Sequence, residues 1–482
     1  MINKPQIVDY EPVTRSGIVS GPGEEFQDQG LGAGFSNTES AFANSGTVDA
    51  LPDAKPNRKE RKTATPRHRH TMTFVGLFMF TAVLYFRPYE FHPALKFLSN
   101  SAFWVAIFTL IFYVPTQLGL NKKLSERQPE VTLIILVAAA GLISIPLALD
   151  PFYAWLSLVD YMKVVVMFIV MVNVVRTEKR LNALLLLAMA VSCVSSAAAV
   201  NDYRMGRLLT NGTRIEGVIG GLFSNPNDLA LHLVTMVPIA VVLFLSSKTL
   251  PRKLLYLCCS CLFVAGVVAT YSRGGFIALA CATVVLAWKL ARRNRVLFGA
   301  AGFVLVLLVV AVGPGGYKNR LTGGADSSAE ARTGELKRSV FLMLRHPLVG
   351  LGMNNYILFS NTSHASHNSY TQVGSELGVP AMLAYILLLV TPLRRLRAIR
   401  NRPGPPRSRG RVYYLIIGIE ASLISYMVGS FFLSVAYMWY AYYLVGYAIA
   451  LRRLSQEADE LQLLESKKSQ AQPGSMTLQQ GK

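Results

Sequence analysis

"VTLIILVAAAGLISIPLA", residues 131–148, contains no ionisable side chain. At about 1.5 Å per residue such a stretch reaches nearly across a hydrocarbon core of about 30 Å. Lipid offers its backbone no hydrogen-bond partner, so the N–H and C=O groups must satisfy one another, which makes the segment a helix. Working outward, comparable apolar runs lie at 71–87, 101–119, 155–175, 182–200, 228–247, 254–271, 275–291, 296–313, 378–393, 412–432 and 434–451. The fold class expected is an all-α polytopic membrane protein with about twelve transmembrane helices. Composition agrees: of 482 residues 52% are hydrophobic and only 16% are charged.

The charges test this count. A net charge of +21 would suit nucleic acid if basic residues interleaved with aromatics on one face, but they fall in short runs between apolar segments. Nucleic acid is therefore not an expected partner. "NKKLSER", "RTEKR", "KTLPRK", "KLARRNR" and "RRLRAIRNRPGPPRSRGR" occupy every second loop, and "LRRL" opens the tail. By the positive-inside bias these loops and both termini are cytoplasmic.

Residues 1–70 are rich in Gly, Ser and Asn and are expected to be disordered. They end in "KPNRKERKTATPRHRH" (55–70), which would hold the first span in the cytoplasm in place of a cleavable signal peptide. Residues 71–451 form the membrane domain and 452–482 a cytoplasmic tail, whose start suits a short amphipathic helix. The five cysteines all sit in apolar segments without ligand-like spacing, so neither a disulfide framework nor a zinc site is expected.

The alternate loops share the outer face, and their polar residues need another explanation. In "RLLTNGTRIEGVIGGLFSNPND" (207–228), Ser224 or Asn225 can cap a helix that Pro226 opens, giving an N-terminus that favours an anion, with Arg214 upstream and Asn227 in the first turn. "YSRGG" (271–275) sets Arg273 between two spans, where an arginine facing lipid would cost about 2.5 kcal/mol or more. An arginine fork can hold two oxygens of a diphosphate at once.

The third outer segment, 314–377, lies between the ninth and tenth spans. It reads as a helix over 328–345 with Leu336, Val340, Phe341 and Leu344 on one side, carrying Arg332, Arg338 and Arg345. A second, short helix, capped by Ser363 or Ser366, ends at Gly378 before Pro380 opens the next span. His364 and His367 stand near its start. A metal pair, a pH sensor and a proton-transfer group are the chemical options, and metal lacks a nearby Cys, Asp or Glu. Within the spans, Asp160, Lys163 and Glu420 are unusual; mutual pairing would require Lys163 and Glu420 to be neighbours.

Taken together, "RIEGVIGGLFSNPNDLA", "YSRGG", "HPLVGLGMNNY" and "HNSYTQVGSELG" resemble, in order and over residues 130–450, the bacterial O-antigen ligase and polymerase superfamily. The resemblance implies an inner-membrane, metal-independent inverting glycosyltransferase without cofactor. Its donor would be a glycan on undecaprenyl diphosphate, and its acceptor a hydroxyl of lipid A–core or of a growing glycan, at the periplasmic face. It implies His367 as the catalytic residue and Arg214 and Arg273 as diphosphate ligands, with Asn368, Asn227, Arg332 and Arg345 as further candidate contacts. One departure is visible, Ala381 standing where the family's Gly-x-x-Gly pair has its second glycine. A transporter or flippase for lipid-linked oligosaccharide is the alternative, but its coupling residues belong near the midplane and internal repeats are expected.

Overall fold

A computed structural model describes residues 70–87, 93–207, 215, 223, 225–290, 327–360, 365–401 and 410–470. Contacts divide the chain into Met1–Ala64 and Thr65–Lys482, and every described residue lies in the second unit. The helices are α1 Thr71–Phe86, α2 Ser101–Asn121, α3 Pro129–Ser144, α4 Pro151–Val174, α5 Glu178–Arg204, α6 Pro226–Ser246, α7 Leu250–Ala269, α8 Arg273–Leu290, α9 Ser327–Arg345, α10 Ser369–Leu377, α11 Val379–Arg400, α12 Arg411–Gly429 and α13 Trp439–Gln470. No strand occurs among the described residues.

Among the described residues nine helices are long and apolar enough to cross a membrane: α2 to α8, α11 and α12. Each coincides with an expected span. Of the other three expectations, α1 is apolar but only 16 residues long, and 296–313 lies outside the described residues, as do 1–69. The last begins at Trp439 rather than 434 and runs unbroken to Gln470. The tail helix is thus a continuation of α13 rather than a separate element.

Local chemistry sets the helix starts. Proline opens α3, α4 and α6, where its missing N–H costs nothing. Asp150 caps α4 by accepting from the Tyr153 N–H at 2.9 Å, and Thr177 caps α5. In α6, residues 229–240 are buried without a break, which marks an apolar helix surrounded by others. Gly418 of α12 lets that helix approach Val242 of α6 closely, and the Ser422 hydroxyl donates to the Thr235 carbonyl at 2.6 Å across the same contact. On α2, by contrast, Trp104, Phe108 and Ile111 face outward, as contact with lipid requires.

The helices have two kinds of end. At one, α6, α8, α10 and α11 begin and α5, α7 and α12 finish; this is the site end. The opposite end holds ion pairs: Arg176 with Glu126 at 2.6 Å, Arg453 with Glu126 at 2.5 Å, Arg452 with Glu130 at 2.8 Å, and Lys289 with Glu420. Arg400 adds a 3.4 Å contact to Glu420. Of the three unusual residues, Asp160 and Lys163 do pair, at 2.7 Å on the exposed face of α4, but Lys163 and Glu420 are not partners, Glu420 being met by Lys289 and Arg400. A lysine reaches a carboxylate on its own helix face before it can reach another helix.

Candidate functional site

At the site end the start of α6 is built as its sequence dictates. The Asn225 side chain accepts from the Asn227 N–H at 2.9 Å, which makes Asn225, not Ser224, the cap. Asn227 in turn accepts from the Ser272 hydroxyl at 2.8 Å. Ser272 also accepts from the Gly275 N–H at 3.1 Å, and so caps α8, whose first residue is Arg273. "SNPND" and "YSRGG" are thereby brought side by side. The contact is tight enough that a Cβ on Gly275 would lie 2.7 Å from that of Ala230, so only glycine fits. Asp228 sits in the first turn of α6 and offsets part of its dipole.

A turn between α12 and α13, residues 430–438, joins this pair to the histidine segment. On one side Gly274 packs on Phe432, where an added Cβ would be 3.0 Å from the Phe432 Cβ. On the other, the Ser369 hydroxyl donates to the Leu433 carbonyl at 2.6 Å and accepts from the Val435 N–H at 2.9 Å, and Ser366 meets Ser434 at 3.1 Å. Three helix starts, those of α6, α8 and α10, thus surround one turn.

The cap of α10 is Asn368, whose side-chain oxygen accepts from the N–H groups of Tyr370 and Thr371 at 2.9 and 3.0 Å. It displaces the expected Ser363 and Ser366, because Ser366 is tied to Ser434 and to the Asn368 carbonyl. His367 immediately precedes the cap, half-buried, with φ of 52°. This left-handed conformation is uncommon outside glycine, though histidine is among the residues that adopt it. Anchored neighbours on both sides hold it there.

Helix α9 packs on α10 through Ser339, which donates to Thr371 at 2.9 Å. Its buried face carries Glu335, Ser339 and Leu342, while Phe341 and Leu344 are exposed, so the expected apolar face is corrected. Polar burial succeeds because Glu335 receives the Tyr356 hydroxyl at 2.6 Å and the Ser360 hydroxyl at 2.9 Å. Arg332 is half-buried and Arg345 exposed, both on this helix. Arg214 and His364 lie outside the described residues.

Two features went unnoticed in the sequence. A cavity of about 550 Å³ lies beside the 430–438 turn, with Phe80, Leu84, Phe103 and Trp439 on its apolar wall and Arg87, Lys163, Gln372 and Tyr437 among its polar groups. Behind it, Glu376 is buried at the end of α10, accepting from the Tyr437 hydroxyl and the Asn354 N–H, each at 2.9 Å. Burial, only partly offset by these hydrogen bonds, pushes its carboxyl up to about 7. The one clue was a lone glutamate, between Ser375 and Leu377, just before Gly378.

Apolar spans crowned by capped helix starts, an arginine and a histidine define a polytopic membrane protein with a polar site at one end. Residues 258–386, from α7 through the first part of α11, match the family model described as O-Antigen ligase. This match bears out the resemblance to the O-antigen ligase and polymerase superfamily, and it spans both the "YSRGG" and the "HNSY" motifs. No curated protein matched the chain.

Proposed function

We propose that the protein is an inner-membrane glycosyltransferase that moves a glycan from undecaprenyl diphosphate to a hydroxyl acceptor at the periplasmic face. It would act as an O-antigen ligase or as a polymerase of O-antigen or exopolysaccharide. The observation that carries this reading is the convergence of the α6, α8 and α10 starts on one turn, with Arg273 and His367 at two of them.

The chemistry follows from those groups. His367 takes the proton of the acceptor hydroxyl, whose oxygen attacks the anomeric carbon from the face opposite the diphosphate. The bond from that carbon to the diphosphate oxygen breaks, and configuration inverts. Arg273, with Arg214, receives the charge that grows on the leaving diphosphate, aided by helix N-termini whose N–H groups favour an anion. Asn227 fixes the α6 and α8 starts to each other, and Asn368 holds the start of α10. Arg332 and Arg345 on α9 would meet sugar or phosphate from the same outer segment.

Purified protein supplied with lipid-linked oligosaccharide and either lipid A–core or a second repeat unit tests this. Product without an ion gradient is expected. Movement of the donor that needs a gradient and yields no product would instead identify a transporter. His367→Ala is expected to lower transfer by about 10²- to 10⁴-fold, with the protein still inserted; near-normal product would remove His367 from its role.

A further inference from the structure

Glu376 occupies a position that the transfer reading leaves without a role. It is 2% exposed, on the last turn of α10, and its carboxylate ties together three segments. The Asn354 N–H comes from the "VGLGMNN" turn and the Tyr437 hydroxyl from the 430–438 turn. Backbone bonds reinforce the first tie: the Leu351 N–H donates to the Ser375 carbonyl and the Gly352 N–H to the Glu376 carbonyl, both at 2.9 Å. Gly350, at φ of 74°, passes so close to the Glu376 backbone that no side chain fits.

Asn354, Tyr437 and Gln372 line the 550 Å³ cavity, so the carboxylate acts on the cavity wall from behind. The groups around it are few. Tyr437 and the Tyr356 backbone touch it; Glu335 and Arg338 of α9 lie beyond Tyr356, and Tyr161 and Tyr385 lie beyond Tyr437. The only ionisable side chain of α3 is Glu130, at the opposite end. Asp160 and Lys163 also line the cavity.

An ionised carboxylate only accepts. Tyr437 must then donate its proton to Glu376 and can offer the cavity only a lone pair. A protonated Glu376 can donate to the Tyr437 oxygen, which frees the tyrosine proton to point into the cavity. We propose that Glu376 is a positioning residue: through Tyr437 it sets the cavity to receive a sugar hydroxyl of the lipid-linked substrate. This rests on the glycosyl-transfer reading. The cavity's apolar wall suits the lipid portion of such a substrate, and its polar wall the glycan.

Transfer kinetics of the full chain, with lipid-linked oligosaccharide varied between pH 5.5 and 8.5, test the proposal. Glu376→Gln keeps the shape and, because the Asn354 N–H and the Tyr437 hydroxyl share one carboxylate oxygen, leaves both bonds to its amide oxygen while removing the charge that fixes the Tyr437 proton. At pH 8 it is expected to raise KM for the lipid-linked substrate about tenfold, with kcat within about twofold. Wild-type KM should climb as pH falls through about 7, while Glu376→Gln and Tyr437→Phe stay flat. The double variant should be no worse than either single one.

Wild-type KM and pH profile in both single variants, or additive losses in the double, overturn the assignment. Tyr437→Phe removes one oxygen at the cavity wall and keeps the test open should the glutamine variant not insert. A wild type that forms no product defeats the transfer reading. Binding of the same lipid-linked oligosaccharide, followed by the change in tryptophan fluorescence across pH, then decides: pH-dependent affinity lost in both variants supports the assignment, and unchanged affinity overturns it.

Discussion

The two ends of the helix bundle handle polar residues in opposite ways. At the ion-paired end, Glu126, Glu130 and Glu420 are each met by two cations, so charge is consumed within the protein. At the site end, the hydrogen-bonding groups are mostly neutral and are spent on capping helices, as with Asn225, Ser272 and Asn368, and on holding the 430–438 turn, as with Ser369. Caps fix backbones while leaving side chains at the helix starts half-exposed, as with Arg273 and His367. The difference teaches where each substitution should be felt, in the fold at one end and in turnover at the other.

Glu130→Ala gives the largest expected effect at the paired end. It strands the buried Arg452 and removes the partner of Arg395, at a cost of about 3–5 kcal/mol. Thermal unfolding in detergent should fall sharply, with transfer per folded molecule unchanged; a selective loss of turnover would break the contrast between the ends.

Next comes the pH dependence of stability from Glu376. Its folded pKa of about 7 lies above the ordinary 4.5, so the folded state holds the proton more tightly. The resulting stability, about 3 kcal/mol, is fully present below pH 4.5 and is lost as pH rises through 7. Unfolding curves of wild type should show this slope, and those of Glu376→Gln should not.

Ser272→Ala is smaller, about 1 kcal/mol for a lost cap, but it also unties α6 from α8. Product formation should drop by more than the thermal shift implies. Asp160→Asn breaks a pair whose side chains are 52% and 75% exposed and should change stability by less than about 0.5 kcal/mol. A larger loss would mean that this exposed pair resembles the buried ones.

What was legible in the sequence follows the same division. Nine spans could be read because an apolar run long enough to cross a membrane has few alternatives to a helix. The "YSRGG" turn was legible as a break between spans, and the "SNPND" cap because asparagine before proline is a local signal. The start of α13 was not. "FFLSVAYMWY" (431–440) is apolar or aromatic but for Ser434, and its non-helical turn is held by Ser369 and Gln372, more than sixty residues earlier. The cap of α10 was misplaced for the same reason, since Ser366 is diverted by distant Ser434. Glu376 and the cavity depend wholly on contacts between remote segments.

The single residue Gly378 between α10 and α11, at φ of 87°, has a mechanical consequence. Helix α10 meets the start of a membrane span there as a short lever meets its hinge, with His367 just beyond its far end. Its nine residues reach about 14 Å, so a rotation of about 5° at the hinge would move the tip by about 1 Å, a displacement that can cost a reaction about 10²-fold. The hydroxyl clasp from Ser369 to the 433–435 backbone is the catch that holds the far end of this lever still.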